Sequence, residues 1–267
     1  MSNLVKRILA GAVGIPLILL ASYYGGIIFF IFAAIVSSIA LWEFYTMFEK
    51  KNHYPMKYTS IAFALLIMIS LRGMDDGEFV SILSCLLFTI IFSTIEIFRS
   101  EKRNPVNVMI ALSGYLYITV PFILIASLNK PDHGFKFNIL IYIFILIWTC
   151  DTMAYFGGRF FGRHPLSAIS PRKTWEGSAA GFFFTVIISL LLHLIFPDKL
   201  SLPDAAIFGI LVGIFSQVGD LFESLIKRYC DVKDSSNIIP GHGGVLDRFD
   251  SLIFVAPVIF IFVLLRF

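Results

Sequence analysis

The chain alternates between long apolar runs and short polar connections. A helix that crosses a bilayer needs about 20 mainly apolar residues, and nine stretches meet or approach that length. The predicted spans are 8–24, 27–47, 58–73, 79–98, 107–127, 137–157, 177–196, 203–227 and 250–266. The pattern predicts an all-α polytopic membrane protein. Only Gly25 and Gly26 separate the first two spans, which indicates a tight helical hairpin.

The composition excludes a water-soluble globule. Of the 267 residues, 58% are hydrophobic and 15% charged, whereas a soluble domain carries about 25% charged residues. The three cysteines (Cys85, Cys150 and Cys230) are odd in number and form no C-x-x-C pair, so we expect neither a disulfide framework nor a cysteine metal site. The first apolar run is too long for a signal peptide, and we expect it to be retained.

Basic residues divide unevenly between the two ends of the predicted spans. If the N-terminus is cytoplasmic and the chain alternates, 16 of the 21 Lys and Arg residues face the cytoplasm. The five on the other side are Arg72, Lys130, Lys136, Lys199 and Arg266. By the positive-inside rule this predicts a cytoplasmic N-terminus and an external C-terminus. The two most polar loops, 157–177 and 228–249, then both face the cytoplasm.

The two halves of the chain differ in polarity. We predict that 1–135 is a transmembrane scaffold and that 136–267 is the catalytic region, with its main motif at 224–250. In the first half, Glu43 and Glu96 lie near predicted cytoplasmic helix ends. We expect them to pair with Lys50, with Arg99 or with a lipid headgroup, because polar groups at helix ends usually reach the interface.

Charge is most concentrated between Ser216 and Ser251, at the edge of the last two spans. Because charge at the edge of a hydrocarbon layer is costly, such a cluster indicates a functional site. Residues three or four apart share one helix face, which places Ser216, Asp220, Ser224 and Lys227 together, with Glu223 beside them. The alternative is a structural Asp220–Lys227 or Glu223–Lys227 pair that closes the bundle.

A glycine-rich loop follows this helix. Residues 240–244 read PGHGG, a composition suited to a loop that folds around an anion. Asp247 and Asp250, three residues apart at the next helix start, can ligate a divalent cation, and Arg248 can turn towards a phosphate. Carboxylates also suit helix N-termini on dipole grounds alone, so a capping role is the alternative for either of them.

The segment 151–177 carries a second polar cluster. Asp151 lies inside an apolar run, and Gly157, Gly158 and Gly162 are expected to break the helix and to let the backbone approach a ligand. Arg172 and Lys173 precede the next helix, whose free N–H groups make a natural phosphate site. The alternative is a positive-inside loop anchored by an interfacial Trp175. Gly177 and Gly181 form a small-residue face of the kind that packs helices together.

Carboxylates on two helices, a glycine-rich loop and several cations are the parts of a phosphoryl- or nucleotidyl-transfer site. Mg²⁺ prefers one or two carboxylates together with substrate phosphates, and basic residues neutralise the remaining phosphate charge. His242 is a lone loop histidine, which favours a hydrogen bond or a phosphate contact over metal ligation.

One long motif resembles the signature of the phosphatidate cytidylyltransferases, or CDP-diacylglycerol synthases. It reads Ser224-x-Ile226-Lys227-Arg228-x4-Lys233-Asp234-x-Ser236-x2-Ile239-Pro240-x-His242-Gly243-Gly244-Val245-x-Asp247-Arg248-Phe249-Asp250. The earlier Ser170-Pro171-Arg172-Lys173-Thr174-Trp175-Glu176-Gly177 is similar to a second motif of that family, and Asp151 to Gly162 is similar to the segment before it. Together these cover most of 151–251.

The resemblance implies that CTP and phosphatidic acid give CDP-diacylglycerol and pyrophosphate, with Mg²⁺ and a candidate second cation. Catalytic roles are expected for Lys227, Asp247 and Asp220. Asp220 and Asp247 are the first expected metal ligands, with Asp250, Glu223 and Asp151 in reserve. Substrate contacts are expected from Ser170, Arg172, Lys173, Ser224, Arg228, Lys233, His242, Gly243, Gly244 and Arg248.

The resemblance also implies the surroundings of the enzyme. We expect a bacterial inner membrane with the active site facing the cytoplasm, where CTP arrives from solution and the lipid from the inner leaflet. The small-residue face and the resemblance lead us to expect a homodimer, and no nucleic-acid partner is expected.

Three other functions are weighed against this one. A related CTP-dependent enzyme acting on an archaeal-type lipid or on a polyprenol is the nearest alternative. A CDP-alcohol phosphotransferase is disfavoured because no D-G-x2-A-R motif is present. A transporter is least favoured, because transporters often carry paired broken helices in repeated halves, whereas the polar features here lie in one half.

Overall fold

A computed structural model describes residues 3–71, 77–128, 138–195 and 200–266. Over these ranges the chain forms nine helical segments, and its only strand-like pairings are two isolated bridges. The segments are α1 (Asn3–Tyr24), α2 (Gly26–Glu49), α3 (Lys57–Leu71), α4 (Gly77–Phe98), α5 (Pro105–Ser127), α6 (Ile139–Phe161), α7 (Trp175–Ile195), α8 (Leu202–Tyr229) and α9 (Leu246–Arg266).

Six of these helices are long and apolar enough to cross a membrane: α2, α5, α6, α7, α8 and α9. Shorter apolar helices cover Ala10–Tyr24, Lys57–Leu71 and Leu83–Phe98. Large apolar side chains such as Phe98 and Leu265 are exposed on the surface, as expected where the solvent is lipid. The prediction of an all-α membrane protein is confirmed. The nine-span count stays a prediction, and Arg72, Lys130, Lys136 and Lys199 lie outside the described residues.

The predicted hairpin between α1 and α2 is confirmed. One residue, Gly25, separates the two helices, and Gly25 and Gly26 have φ values of 59° and 52°. Residues with a side chain rarely adopt this left-handed backbone conformation, so the sharp reversal depends on the glycine pair.

The helix α5 contains a π-helical turn over Tyr115–Thr119. Pro121 follows this turn and has no N–H to donate to the preceding turn. Instead, the N–H of Val120 bonds back to the carbonyl of Tyr115, and the hydroxyl of Tyr45 donates to the carbonyl of Ala111 at 2.7 Å. Such turns often occur at functional sites, and this one lies beside the site described below.

The helices α6, α7 and α8 form the most closely packed group of the described chain, and α9 packs on α8. Glycines set the distance between α6 and α7, since a Cβ on Gly177 would come within 2.6 Å of the Ala154 carbonyl oxygen. The packing role predicted for Gly177 and Gly181 is therefore confirmed, inside one chain.

The prediction that Gly157 and Gly158 break the sixth helix is wrong. The helix α6 continues through both residues to Phe161, and Gly162 follows as its C-cap. A Cβ on Gly157 would collide with the Ala180 side chain, so this glycine serves helix packing and not the approach of a ligand.

Candidate active site

A buried lysine joins α8 to α9. The Nζ of Lys227 lies 2.6 Å from Oδ1 of Asp247 and also contacts Oε2 of Glu223. Glu223 is fully buried, and its Oε1 has no hydrogen-bond partner within the described ranges. The predicted Glu223–Lys227 pair is therefore present, whereas Asp220 pairs with Lys173 instead of Lys227. Lys227 therefore lies between one carboxyl group of its own helix and one of α9.

Three carboxylates from three helices lie within electrostatic range of one another beside this group. Asp151 of α6 and Asp250 of α9 both interact electrostatically with Asp220 of α8. The ammonium of Lys173, just before α7, pairs with Asp220, and Arg248 acts electrostatically on Asp151. Like charges are brought together here at an energetic cost, which indicates a site that cations complete.

Asp247 ties the glycine-rich loop to α9. Its Oδ2 accepts hydrogen bonds from the N–H of Ser235 at 2.9 Å and the N–H of Gly244 at 2.7 Å. It also lies 2.9 Å from the hydroxyl of Ser235, whose single proton it shares with Glu43. Its Oδ1 is held by Lys227. These donors all precede α9, so Asp247 joins the preceding loop to the helix, and the capping alternative stays a prediction. Asp250 lies a full turn into α9 and accepts from the N–H of Ser251 at 2.7 Å.

Glu43 is the principal residue that sequence reasoning missed. Its fully buried carboxylate does not pair with Lys50 or Arg99; it accepts hydrogen bonds from residues about 200 positions later. The donors are the N–H of Val245 (2.9 Å), the N–H of Leu246 (2.7 Å), the hydroxyl of Ser235 (3.0 Å) and the hydroxyl of Ser236 (2.5 Å). No local pattern around Glu43 signals this distant contact.

Glu96 behaves as predicted and adds a helix-capping role. Its Oε2 lies 3.3 Å from Arg99, which confirms the expected pair. Its Oε1 accepts from the N–H of Asn104 at 2.8 Å and from the side-chain amide of Asn107 at 2.7 Å. Glu96 therefore holds the start of α5, at a distance from the glycine-rich loop.

The loop before α7 is closed by Glu176. Its carboxylate accepts from the N–H of Arg163 at 3.1 Å and lies 2.6 Å from Nδ1 of His164. The hydroxyl of Thr174 accepts from the N–H of Gly177 at 3.1 Å, and the carbonyl of Ser170 accepts from the N–H of Lys173 at 3.0 Å. These contacts place Lys173 at the start of α7, where its side chain reaches Asp220.

Four predicted substrate-binding cations are exposed and take no part in the ion pairs of the described ranges. They are Arg172, Arg228, Lys233 and Arg248. Ser170, Ser224, His242 and Gly243 are half-buried nearby, and Gly243 has a φ of 82°. The structure brings the exposed cations to the same end of the molecule as the carboxylates, and their contacts with substrate stay predictions.

Tyr117, in the π-helical turn of α5, is a second residue that the sequence did not reveal. Its ring packs on Phe222 of α8 and Phe254 of α9, with centroid distances of 5.4 and 6.2 Å. Glu223, Asp220 and Asp250 all exert an electrostatic influence on it. Its buried hydroxyl has no hydrogen-bond partner among the described residues, so a donor is available beside the carboxylates.

The described residues contain no group of three or more His, Cys, Asp or Glu side chains arranged to hold a metal ion by themselves. The donor chemistry suits Mg²⁺ nonetheless, because Mg²⁺ takes one or two carboxylates and completes its shell with water and phosphate. Asp220, Asp151 and Asp250 offer hard oxygen ligands from three helices, so the residues fit a cation that binds together with a phosphate substrate.

Comparison with known proteins gives a consistent match. The sequence model of the cytidylyltransferase family matches residues 5–266. A phosphatidate cytidylyltransferase of Staphylococcus saprophyticus is 32% identical over 239 residues, which cover 88% of this chain and 89% of the relative. Proteins of the same name from Staphylococcus haemolyticus and Staphylococcus aureus are 30% and 31% identical. They match 94% and 88% of this chain, and 94% and 89% of their own lengths.

Proposed function

The chain belongs to the cytidylyltransferase family, and we propose that it transfers the cytidylyl group of CTP to phosphatidic acid. A phosphate oxygen of the lipid attacks the α-phosphorus of CTP. The bond from that phosphorus to the bridging oxygen breaks, and pyrophosphate leaves with the electron pair. The products are CDP-diacylglycerol and pyrophosphate. The observation that carries the proposal is the pair of neighbouring ion-pair groups, Lys173 with Asp220 and Lys227 with Glu223 and Asp247, where α8 meets α9 and the loop before α7.

The site fits a reaction that needs no activated nucleophile. The lipid phosphate is already anionic at neutral pH, so no side chain has to remove a proton. Catalysis then depends on holding two anions in line and on neutralising their charge. Lys227 is fixed between Glu223 and Asp247, which leaves one ammonium proton for a phosphate oxygen. Arg172, Arg228, Lys233 and Arg248 are exposed for the same purpose.

Asp220 is the first candidate to hold Mg²⁺, with Asp250 and Asp151 facing it and Oδ1 of Asp247 in reserve. When bound, the ion would neutralise phosphate charge. Lys173 balances the Asp220 carboxylate and lies where it can exchange that carboxylate for a substrate phosphate. Glu223 is the least suited of the predicted ligands, because it is fully buried against Lys227. A second cation stays a prediction.

We also propose that all nine helices span the membrane, with the N-terminus and the site on the cytoplasmic side of a bacterial inner membrane. Contacts between helix ends support this orientation. Lys51 pairs with Asp231, and Arg99 donates to the carbonyl of Tyr54 at 2.8 Å, so loops that the charge pattern places in the cytoplasm contact one another. Arg266 contacts Asp204 at 2.9 Å, joining two ends that the pattern places outside.

A homodimer stays part of the proposal on the strength of the resemblance alone. The small-residue face of Gly177 and Gly181 is occupied by α6 within the same chain and is not available for a partner. Light scattering of the detergent-purified protein would measure the oligomeric state directly.

A lipid panel tests the proposed substrate. Purified protein is given CTP and Mg²⁺ together with phosphatidic acid, an archaeal-type lipid phosphate or a polyprenol, and pyrophosphate release is followed. We expect release with phosphatidic acid and at most a trace with the others. Release with another lipid in preference would keep the CTP chemistry and overturn the substrate. No pyrophosphate release with any lipid, from a folded sample, would overturn cytidylyl transfer.

A further inference from the structure

The glycine-rich loop is folded around two carboxylates that belong to the protein itself. The N–H groups of Ser235 and Gly244 donate to Asp247, and those of Val245 and Leu246 donate to Glu43. The sequence suggests a loop that encloses an anion, and these contacts identify anions that are already present. The four N–H groups are therefore occupied by the chain and not free for a substrate phosphate.

Glu43 supplies the part of this arrangement that comes from outside the catalytic half. Both of its oxygens are used, since Oε1 accepts from Val245 and Ser236 while Oε2 accepts from Leu246 and Ser235. The N–H of Leu246 is at the first residue of α9, where a negative charge is favoured by the helix dipole. A carboxylate in the middle of this set holds the loop and the helix start at a fixed separation from α2.

Ser235 links the two carboxylates. Its hydroxyl lies 3.0 Å from Oε2 of Glu43 and 2.9 Å from Oδ2 of Asp247. Both carboxylates are therefore positioned through one small side chain. Gly244 passes directly alongside, and a Cβ there would come within 2.6 Å of Oε1 of Glu43. A displacement of Glu43 would therefore reach Asp247 through a single residue, Ser235.

We propose that Glu43 is a positioning residue of the transfer reaction. Through Ser235, Ser236 and the first N–H groups of α9, it fixes the loop 234–246 and the helical turn that carries Asp247 and Arg248. The proposal rests on the proposed function, and it assigns part of the site to the N-terminal half. Glu43 contacts neither substrate; its effect reaches the reaction through Asp247, and through Asp247 to Lys227.

Glu43→Gln tests this proposal with Glu96→Gln as the matched control. Both changes replace a buried carboxylate of the N-terminal half that accepts a backbone N–H at the start of a helix. In Glu43→Gln one oxygen becomes an amide that faces an N–H donor. We expect kcat to fall by about a hundredfold, the effect of a displacement of about 1 Å on catalytic groups. Amide hydrogen exchange should accelerate at Ser235 and at 244–246.

The control separates positioning from general destabilisation. Glu96→Gln should lower the thermal midpoint to a similar extent while kcat, KM and exchange in the loop stay within about twofold of wild type, because independent sites act separately. Adding Ser235→Ala to Glu43→Gln should lower kcat by a smaller factor than Ser235→Ala does in the wild-type protein, since both changes break the same link. Equal losses in the two Gln variants, or an unchanged loop exchange in Glu43→Gln, would overturn the proposal. A wild-type protein without transferase activity would instead overturn the proposed function.

Discussion

Two aspartates of the charged stretch 216–251 have different roles. Asp247 is enclosed, with Oδ2 held by Ser235 and Gly244 and Oδ1 facing Lys227. Asp220 is half-buried and faces two other carboxylates and one lysine. Loss of charge at Asp247 therefore disturbs structure and chemistry together, whereas loss of charge at Asp220 acts on the chemistry.

We expect Asp220→Asn to lower kcat by about a hundredfold or more, the usual loss when one electrostatic contact of a transition state is removed. Its thermal midpoint should stay near that of wild type, because the change removes repulsion from Asp151 and Asp250 and also removes the ion pair with Lys173. Asp247→Asn should lower kcat as well and also lower the free energy of unfolding by about 1–3 kcal/mol, since buried donors lose their acceptor. Pyrophosphate release and thermal unfolding measure the two effects. A large loss of stability in Asp220→Asn would contradict this division of roles.

Gly244→Ala should destabilise the loop, because the added methyl group would meet Ser235 and Glu43. Overpacking of this kind costs about 1–3 kcal/mol. Gly11→Ala, where a Cβ would meet nothing within 4 Å, is the control and should leave the thermal midpoint unchanged or slightly higher. Equal thermal midpoints for the two variants would show that Ser235 and Glu43 do not pack closely against Gly244.

For single residues, the sequence predicted which residue types form the site better than it predicted their partners. The charged stretch 216–251 identified Asp220, Lys227 and Asp247, because charge at a membrane edge is costly and therefore informative. It could not identify Glu43, whose partners lie about 200 positions away, nor the Lys173–Asp220 pair, which joins the loop before α7 to α8. Local spacing contains no information on contacts that only the folded chain creates.

Asp151 lies on α6 and Lys173 lies just before α7, from where it acts electrostatically on Asp151. Glycines set the separation of the two helices. A Cβ on Gly177 would lie 2.6 Å from the carbonyl oxygen of Ala154. The prediction of an all-α membrane protein succeeded because a chain in lipid must satisfy its own backbone hydrogen bonds, which a helix does. The prediction of a break at Gly157 failed, because glycine in a helix also permits close packing, and sequence alone does not separate the two uses.

Gly177→Ala should therefore force α7 away from α6. We expect a fall in kcat of about tenfold or more, since small displacements of catalytic groups are costly, together with a lower thermal midpoint. Gly14→Ala on α1, where a Cβ meets nothing within 4 Å, provides the comparison and should retain activity. Full activity in Gly177→Ala would indicate that the α6–α7 distance does not position the site.

For the whole molecule, the contacts between helix ends agree with the charge pattern, because loops predicted on the same side of the membrane contact one another. Loops with predicted cytoplasmic charge contact each other through Lys51 and Asp231, and Glu43 reaches the loop 234–246 from the same end of α2. The division into a scaffold half and a catalytic half stays a prediction. Glu43 already shows that the first half contributes to the shape of the site.

Single cysteines test the orientation. Ser100→Cys lies in a predicted cytoplasmic loop and Lys130→Cys at a predicted external position, each in a Cys85→Ala background. Burial raises the pKa of the Cys230 thiol to about 11, which keeps it neutral and unreactive near neutral pH, and Cys150 is buried. An impermeant maleimide on intact cells should label Lys130→Cys alone. Labelling of Ser100→Cys instead would reverse the proposed topology.

The most direct test follows the phosphorus atoms of CTP. Purified protein is incubated with phosphatidic acid, Mg²⁺ and CTP labelled at either the α- or the γ-phosphate, and the lipid and aqueous phases are separated. Cytidylyl transfer predicts that the α-label enters the lipid phase and that the γ-label is released as aqueous pyrophosphate. Both the labelled lipid and the labelled pyrophosphate should be lost in Asp220→Asn. The γ-label in the lipid would identify a kinase, and no label there from either CTP would contradict the proposed transfer.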